Sequence, residues 1–453
     1  MESSSLGTGL VQIRPASELL PSAPIHPDFH LFEAGSHQYV LVSNGSRLYS
    51  IEPSEYATLR QAEQAGDAAL ALSLLTSLGL DAPLAIDDAP VVDPPVLALS
   101  LAVAQKCNLG CTYCYAQEGS FGGTAKEMPR DIAFASVERL IRDAPEGSRV
   151  NLSFLGGEPL YARDLIHAAT AQATRLAAEK NVRIGFSITT NGSLIDESDA
   201  DFFERHSFAV SISLDGIGEA HDRLRPFKNG KGSFERIMER VSPLLLRQHH
   251  MQVSARVTVT PHNLGIKALL DDLLDRGFHS VGFSPMLSSP SGEAEMGSEE
   301  LAVMLAQMIE CGEEYLHKVM LGQRYAFTNM TTALKEIHLG THRPYPCGAG
   351  AGYLGVSAEG GLSACHRFVN DDLGFLGNLE SGVDPARREK WLQDRHVHRQ
   401  QPCRSCWARY MCGGGCHHEV LHRGRVSCEY IRGWLSYCLQ AYVRLLECRA
   451  DFF

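Results

Sequence analysis

The chain has little of what membrane-spanning, exported or nucleic-acid-binding proteins need. Its longest nearly uncharged run, residues 96–105, is far shorter than a bilayer span. The N-terminal stretch "MESSSLGTGLVQIRP" has no basic start followed by an apolar block, which argues against secretion and favours a cytoplasmic protein. The formal net charge of −12 argues against broad binding to nucleic acid or to an anionic membrane. Only the local basic stretch "HDRLRPFKNGKG", residues 221–232, suits one acidic ligand.

Cysteine, in contrast, is abundant, with 13 residues in a chain of 453. In a protein without an export signal most of these should be reduced thiols, which favours metal ligation or catalysis over disulfides. The first group contains Cys107, Cys111 and Cys114. The second group contains Cys347, Cys365, Cys403, Cys406, Cys412, Cys416 and Cys428, and the isolated cysteines are Cys311, Cys438 and Cys448.

Strand and helix patterns alternate through the middle of the chain. Helical patterns such as "DIAFASVERLIRD" separate six apolar segments. These six βα units predict an α/β fold with a parallel sheet and right-handed crossovers, and reactive groups then belong at the carboxyl ends of the strands. The predicted strands are residues 96–105, 150–155, 183–189, 209–214, 253–260 and 280–285.

The two ends of the chain have different patterns. "HQYVLVSNGSRLYSI" predicts two strands around an Asn-Gly turn, followed by two helices and the proline-rich linker "DDAPVVDPP". "SEELAVMLAQMIECGEEYLHKVM" predicts one long helix, and the last hundred residues show so little periodicity that we expect bound metals to define them. The predicted domains are a small N-terminal α+β unit at 1–95, the central α/β domain at 96–310, a bridging helix and linker at 311–346, and the cysteine-rich domain at 347–453.

The spacing of the first cysteine group, Cys-x3-Cys-x2-Cys, suits a [4Fe–4S] cluster. Three thiolates can bind three irons and leave the fourth iron without a protein ligand, free to chelate a small molecule. Structural zinc would need a fourth protein ligand from elsewhere in the chain. A structural metal and reduced packing cysteines are the alternative interpretations.

The stretch "CNLGCTYCY" resembles the defining motif of the radical S-adenosylmethionine (SAM) superfamily, in which an aromatic residue precedes the third cysteine, as Tyr113 does here. The resemblance covers about residues 96–290. It implies a partial (β/α)6 TIM-like barrel in which Cys107, Cys111 and Cys114 are the catalytic cluster ligands. It also implies that the cluster passes an electron to bound SAM, whose 5′-deoxyadenosyl radical abstracts a substrate hydrogen.

Further strand ends match SAM-contacting motifs of that superfamily. "GGEPL" resembles its motif for the methionine amino group, and "TTNG" and "SISLDG" stand where its ribose contacts lie. Each could equally be a turn at a strand end. The resemblance implies the cofactor contacts Tyr113, Gly156, Gly157, Glu158, Pro159, Thr190, Asn191, Ser213 and Asp215.

The second cysteine group resembles the SPASM extension of radical SAM peptide maturases, through Cys347, Gly360 and Cys365 and through "CRSCWARYMCGGGC". Structural zinc is the alternative. The resemblance implies two auxiliary [4Fe–4S] clusters, three clusters in all, with Cys347, Cys365 and Cys416 on the first and Cys403, Cys406, Cys412 and Cys428 on the second. Seven ligands leave the first auxiliary cluster one short. Its fourth ligand is Cys311, Cys438 or Cys448, or an open iron that holds a substrate thiolate.

Two histidine-containing stretches near these cysteines are ambiguous. In the sulfatase-maturating branch an Asp acting as base follows the second cysteine of the Gly-x4-Cys motif, and here His366 occupies that position, which lowers the sulfatase interpretation. His366 is either a base or a histidine satisfied by a hydrogen bond. "CHHEV", with His417, His418 and Glu419, is more typical of residues that support a cluster, or of surface, than of a separate metal site.

The resemblance implies a radical SAM oxidoreductase that modifies a peptide or small protein. The N-terminal unit loosely resembles the element with which such maturases bind a leader peptide at a sheet edge, although a generic capping domain fits nearly as well. The region around "QKCNLGCTYCYAQEGSFGG" looks closest to maturases that build Cys-to-Asp/Glu thioethers in quinohemoprotein amine dehydrogenase. Cyclophane formation, epimerisation and sulfatase-type maturation are the enzymatic alternatives, and an iron–sulfur electron carrier or a zinc-stabilised adaptor is the non-enzymatic one. The expected partners are the peptide and a flavodoxin or ferredoxin reductant.

Overall fold

A computed structural model describes residues 29–81, 89–341 and 343–453. The N-terminal stretch without an export signal and the first two residues of the proline-rich linker lie outside these ranges. None of the described helices is both long enough and apolar enough to cross a bilayer. The strands are β1 Phe29–Ala34, β2 His37–Val42, β3 Arg47–Ile51, β4 Ala98–Ala104, β5 Arg149–Gly156, β6 Arg183–Thr190, β7 Ala209–Ser213, β8 Gln252–Val259, β9 Ser280–Pro285, β10 Tyr353–Val356, β11 Gly361–Ser363, β12 Phe375–Asn378 and β13 Gly382–Val383. The helices are α1 Pro53–Ala65, α2 Ala68–Ser77, α3 Arg130–Asp143, α4 Arg163–Glu179, α5 Glu197–Arg205, α6 Glu219–Leu224, α7 Phe234–Arg247, α8 Ile266–Asp275, α9 Ser298–Met320, α10 Thr328–His338, α11 Pro385–Arg395, α12 Arg409–Cys412, α13 His417–Arg423 and α14 Cys428–Cys448.

The centre of the molecule is a parallel sheet in the order β4, β5, β6, β7, β8, β9, with helices between the strands. The predicted α/β class and its six parallel strands are confirmed, and the predicted strand at 280–285 coincides with β9. Side chains alternate along each strand. In β8 the buried Val253, Ala255, Val257 and Val259 belong to the core under the helices. The opposite face of the sheet is therefore free to line cavities inside the barrel.

The cysteine-rich end of the chain extends this same sheet. Strand β10 pairs in parallel with β4, and β11, β12 and β13 follow antiparallel, so that ten strands form one sheet. The expectation of little regular structure here is wrong. Helix α14 alone spans 21 residues and is buried around most of its circumference, between α9, α10 and β1.

The N-terminal unit is a three-stranded antiparallel sheet in the order β1, β2, β3, followed by α1 and α2. The two strands around the Asn-Gly turn are found as predicted, but β1 was not predicted. Its side chains are buried on both faces, because Phe29 packs toward α1 and α2 whereas Phe32 packs toward α14. A strand covered on both sides does not show the alternation of a half-exposed strand. The domain division stays a proposal, and α9 runs through residue 310 without a break.

Candidate active site

The cysteine loop that follows β4 lies at the carboxyl end of the parallel sheet. Residues 224–228 hold it in place: the Gly110 amide donates to the Pro226 carbonyl at 2.8 Å, and the Lys228 amide donates to the Asn108 carbonyl at 3.0 Å. The thiols of the loop, together with neighbouring strand ends, line a cavity of about 390 Å³. The cysteines that line it are Cys107, Cys111 and Cys114.

The electrostatics of this loop depend on a buried arginine that the sequence analysis did not single out. Arg225 donates a hydrogen bond to the Tyr113 hydroxyl at 3.0 Å and lies 3.4 Å from the Asp215 carboxylate. Burial raises the pKa of the Cys111 thiol to about 11, and the nearby Arg225 opposes that rise. A fixed cation beside the thiols favours the thiolate form, which is the form that binds metal. The only signal was its position in the basic stretch at residues 221–232.

Glycines 156 and 157 are required by the cysteine loop itself. A Cβ on Gly156 would lie 2.2 Å from the Ala104 carbonyl oxygen, and one on Gly157 would lie 2.4 Å from that of Lys106. The Gly157 amide donates to the Ala104 carbonyl at 2.8 Å. Both glycines also line the cavity. They therefore let the second strand end pack directly against the chain that leads into the cysteine loop.

The buried Glu158 connects the ends of two strands through hydrogen bonds. Its carboxylate accepts hydrogen bonds from the Thr190 hydroxyl at 2.6 Å, the Asn191 amide at 2.7 Å and the Leu160 amide at 3.1 Å. Burial raises the pKa of Glu158, and these hydrogen bonds oppose the rise. The side-chain amide of Asn191 in turn donates a hydrogen bond to Oδ1 of Asn108 at 2.9 Å. The third strand end is thus fixed against the cysteine loop.

The predicted cofactor contacts separate into two sets. The Asp215 carboxylate accepts from the Thr258 amide at 2.7 Å and faces Arg225, so its oxygens, like those of Glu158, already have partners within the protein. Pro159 is buried and begins a short 3-10 turn. The remaining predicted contacts line the cavity and are Tyr113, Gly156, Gly157, Thr190, Asn191 and Ser213.

The cavity residues fit an iron–sulfur cluster with one open corner. It is lined by three thiols and by no other cysteine among the described residues. The Ser213 hydroxyl lines the same space and can form a hydrogen bond with a polar ligand, whereas the Thr190 hydroxyl and the Asn191 side chain also bond within the protein. Three soft ligands beside a polar recess suit a cluster that also binds a small molecule.

The second group of cysteines lies in two sets in the folded chain. Cys416 acts electrostatically on both Cys347 and Cys365, so these three thiols are near neighbours although up to 69 positions separate them in the sequence. The other four line a separate small pocket at the start of α14, and they are Cys403, Cys406, Cys412 and Cys428. This division matches the two ligand sets that the SPASM resemblance implies.

The three isolated cysteines lie in other surroundings. Cys311 is buried on α9 near Lys267 and Asp271 of α8, and burial raises its pKa to about 12. Cys438 is fully buried in α14, where burial raises its pKa well above the ordinary value. Cys448, at the end of α14, is exposed. None of them is among the largest charge effects on Cys347 or Cys365 in the described part of the chain.

His366 faces the main cavity from the cysteine-rich side. Its Nδ1 lies 2.7 Å from the Tyr353 hydroxyl, which donates to the Ser100 hydroxyl at 2.8 Å. The tautomer of His366 decides which of the two groups donates in this contact. Burial, with a smaller effect of Arg367, lowers the pKa of His366 to about 4. Tyr353 was not singled out in the sequence, where nothing distinguishes it from a core tyrosine.

The "CHHEV" stretch supports its neighbours. Nδ1 of His417 accepts a hydrogen bond from Arg395 at 3.1 Å, and burial lowers the pKa of both His417 and His418 to about 3. The carboxylate of Glu419 pairs with Arg367 at 2.8 Å, and Arg367 also reaches the Cys416 sulfur at 3.8 Å.

Residues 101–284 match the sequence model of the radical SAM superfamily. This part of the chain is a radical SAM domain. The match contains the cysteine loop, the Gly156–Gly157 turn and the strand ends that surround the cavity. It confirms the superfamily that the cysteine spacing indicated and implies that a cluster of this type and SAM are the cofactors.

Curated relatives extend the similarity beyond the radical SAM domain. The chain is 26% identical over 356 residues to the serine-type anaerobic sulfatase-maturating enzyme of Klebsiella aerogenes, covering 75% of this chain and 84% of the relative. It is 25% identical over 375 residues to the cysteine-type anaerobic sulfatase-maturating enzyme of Clostridium perfringens (strain 13 / Type A), covering 78% of this chain and 96% of the relative.

Solved structures share the fold. anSMEcpe with bound AdoMet superposes with a TM-score of 0.64 at 20% identity, covering 78% of this chain and 100% of that chain. SuiB of Streptococcus suis bound to the precursor peptide SuiA superposes with a TM-score of 0.52 at 13% identity, covering 88% of this chain and 96% of that chain. The fold of this chain is therefore shared with these two proteins over most of its length.

Proposed function

We propose that this protein uses SAM to modify a peptide or small protein through hydrogen abstraction, and that the modification is an intrapeptide thioether. Cys107, Cys111 and Cys114 would hold the SAM-binding cluster. Cys347, Cys365 and Cys416 would hold the first auxiliary cluster, and Cys403, Cys406, Cys412 and Cys428 the second. When bound, SAM and the clusters supply the redox chemistry, which takes one hydrogen atom from a substrate carbon and one electron as the new bond closes.

One observation carries the proposal: a single cavity is lined both by the three-cysteine loop and by His366, which adjoins Cys365. A substrate carbon placed there would face the SAM side, while its reacting partner would face the auxiliary side. The walls between are hydroxyls of strand residues such as Ser153 and Ser187, which can orient a peptide without reacting with it. Holding both reacting groups in one enclosed site is the main contribution that the protein makes to such a reaction.

We assign to His366 the role of accepting the proton of the substrate thiol. Closing a thioether removes a hydrogen atom from carbon, a proton from the thiol and one electron. The imidazole of His366 lines the reaction cavity, and its Nδ1 lies 2.7 Å from the Tyr353 hydroxyl, which fixes the orientation of the ring. Burial lowers the pKa of His366 to about 4, so the imidazole is neutral at neutral pH but a weak base, and it would hold the thiol proton only in passing, before that proton moves on to water.

The three-cysteine set supports the thioether over its alternatives. An iron without a protein ligand can bind a substrate thiolate, and none of Cys311, Cys438 and Cys448 is among the largest charge effects on this set in the described residues. The second candidate is sulfatase-type maturation, favoured by relatives that carry this name and are matched over most of their length.

The N-terminal unit would bind the leader of the substrate. Within the described residues β3 pairs only with β2, so its other edge can accept a peptide strand. We also propose that a reduced flavodoxin or ferredoxin supplies the electron, and that the protein works in the cytoplasm.

Reconstituted enzyme with SAM and dithionite tests the first step. We expect 5′-deoxyadenosine from the wild type and none from the matched variant Cys107→Ala/Cys111→Ala/Cys114→Ala. Equal amounts from both would refute radical SAM activity. Iron and sulfide analysis of the same samples separates iron–sulfur clusters from a zinc-stabilised adaptor.

Mass spectrometry of a candidate substrate tests the bond. The substrate is the product of a small open reading frame beside this gene, co-expressed with the enzyme. A thioether removes two hydrogens and makes one cysteine resistant to alkylation, whereas a new aldehyde that reacts with hydrazine indicates sulfatase-type maturation. We expect His366→Asn to form 5′-deoxyadenosine but little cross-linked product, and His366→Asn with full product yield would remove the assigned role.

A further inference from the structure

A further group of metal-binding side chains lies away from the residues that line the cavity of the cysteine loop. It consists of Asp371, His418 and His422, and we refer to it as the Asp371 cluster. One ligand atom from each side chain lies within 4.8 Å of the other two. His418 and His422 belong to α13, and Asp371 precedes a short 3-10 turn that leads into β12. The fold therefore brings together side chains whose positions span 51 residues of the sequence.

The two histidines belong to a known zinc-binding pattern. Residues 418–422 have the sequence "HEVLH", which is His-Glu-x-x-His, and they lie within one helix. Side chains four positions apart are neighbours on the same face of a helix, and the centroids of these two imidazoles are 4.3 Å apart. Two imidazoles in this arrangement bind Zn²⁺ when a third ligand comes from another part of the fold.

Asp371 is oriented so that it can be this third ligand. Its Oδ1 accepts a hydrogen bond from the Leu373 amide at 2.9 Å, and its Oδ2 lies 2.8 Å from Nε2 of His422. The backbone contact leaves Oδ2 directed toward the histidine, in the way that hydrogen bonds around a metal site orient the ligands. Because metal binding by histidine releases protons, a divalent ion can replace the proton that His422 and Asp371 share.

His418 is buried without a polar partner. The side chain is only 9% exposed, and its Nδ1 is buried and forms no hydrogen bond to any described residue. The ring of Phe368 packs beside it, with the two centroids 5.1 Å apart. A buried polar nitrogen without a partner is unfavourable, and a metal ion bound by the ring would offset that cost.

The glutamate of the pattern is already paired. In zinc hydrolases with this pattern the glutamate acts as the general base. Here the Glu419 carboxylate pairs with Arg367 at 2.8 Å, and Arg367 also lies 3.8 Å from the Cys416 sulfur. A carboxylate beside a guanidinium holds its negative charge more strongly and is therefore a weaker base. The geometry consequently favours a structural ion over a hydrolytic one.

We propose that the Asp371 cluster binds one Zn²⁺ ion through Asp371, His418 and His422, and that this ion stabilises the cysteine-rich end of the chain. Zinc accepts imidazole nitrogen and carboxylate oxygen as ligands at about 2.0–2.2 Å. Asp371 follows Cys365 by six positions, and α13 begins directly after Cys416. The ion would therefore join the two segments that carry these cysteines. This inference does not rest on the proposed function, because zinc can bind here whether or not SAM is cleaved.

The zinc content of the full-length protein tests the inference. Cluster-reconstituted protein, in which iron already occupies the clustered thiols, is dialysed anaerobically against ZnCl₂ buffered with nitrilotriacetate and then analysed for zinc. We expect about one zinc ion per wild-type chain. His422→Gln should bind zinc at least about a hundredfold more weakly, because losing a ligand costs more than losing a group that only orients one. Zinc should also raise the melting temperature of the wild type but not that of His422→Gln.

The matched control is His250→Gln, which removes an exposed histidine before β8 and should bind zinc like the wild type. X-ray absorption at the zinc edge should show nitrogen and oxygen ligands at about 2.0–2.2 Å. Absence of zinc from the wild type, equal zinc in His422→Gln, or a shell of sulfur ligands at about 2.3 Å would each overturn the inference.

Two further measurements separate loss of the ion from other effects. Circular dichroism and iron content of His422→Gln should match those of the wild type, and a loss of iron would instead place His422 on a cluster and overturn the inference. Asp371→Asn should lose zinc in the same way and is the second variant if His422→Gln does not fold. Formation of 5′-deoxyadenosine by the wild type reports separately on the proposed function.

Discussion

The Tyr113 hydroxyl accepts a hydrogen bond from Arg225 at 3.0 Å, which joins the cysteine loop to the segment after β7. The Asp215 carboxylate on the other side of Arg225 and the negative charge of the nearby thiols raise the pKa of this arginine, against the opposite effect of burial. Arg225 therefore links the loop geometry to the charge that stabilises thiolates.

Replacing Arg225 should weaken cluster binding at the loop. We expect Arg225→Met to lose most of one cluster, about four iron atoms per chain, because the loop loses both an anchor and a cation. Arg225→Lys should retain more iron, since it keeps the charge. Iron analysis after reconstitution measures the difference, and wild-type iron content in Arg225→Met would contradict this role.

Two glycines near the loop should respond differently to the same substitution. Gly157→Ala places a methyl group 2.4 Å from a backbone oxygen, so we expect a lower melting temperature and loss of 5′-deoxyadenosine formation. Gly110→Ala, within the cysteine loop, meets its nearest atom only at 3.8 Å and should behave like the wild type. If the two variants have the same melting temperature and the same activity, the close packing around Gly157 is not the reason for a glycine at this position.

The cysteine sets predict which thiols hold iron. Cys412→Ala and Cys365→Ala should each remove up to about four irons, because each deletes a ligand of one proposed auxiliary cluster. Cys438→Ala and Cys311→Ala are the matched controls, with thiols buried in the helical core. Their iron content should be unchanged, and a loss of iron from either one would identify the missing fourth ligand.

Low pH should loosen the N-terminal sheet. His30 stacks on Trp407 with ring centroids 3.9 Å apart, and burial, with a smaller effect of Arg60, lowers its pKa to about 3. Above about pH 6.5 the histidine is neutral in both folded and unfolded chains, so its contribution is complete. Below that pH His30 is protonated in the unfolded chain but stays neutral in the folded chain. The free energy of unfolding therefore falls by about 1.4 kcal/mol per pH unit until about pH 3.

Hydrogen exchange measures this effect. We expect protection factors in β1–β3 to fall by more than tenfold between pH 6.5 and pH 4.5. His30→Phe keeps the aromatic stack without a titrating group and should show a smaller fall. A pH response as large in His30→Phe as in the wild type would assign the effect to other residues.

The sequence was sufficient wherever a local pattern is tied to the chemistry. The spacing of Cys107, Cys111 and Cys114 indicated the radical SAM domain, and apolar segments between helical patterns located the six parallel strands, because both signals lie within short segments of the chain. Helix α9 was predicted at its full length for the same reason.

Other residues were missed because their roles depend on partners distant in sequence. Arg225 is functional through Tyr113, 112 positions away, and Tyr353 through Ser100, 253 positions away. Helix α14, which packs against α9, α10 and β1, was also not predicted.

By itself, then, the sequence determined the class of chemistry and the strands that surround it, since ligand spacing and the order of apolar and helical segments can be read from short stretches of the chain. Only the tertiary structure decided that β10 joins the barrel at β4 and that His366 faces the same cavity as the three cysteines. These facts depend on which distant segments pack together. The free energy of that packing comes from contacts throughout the core, so no single stretch of the sequence reveals it.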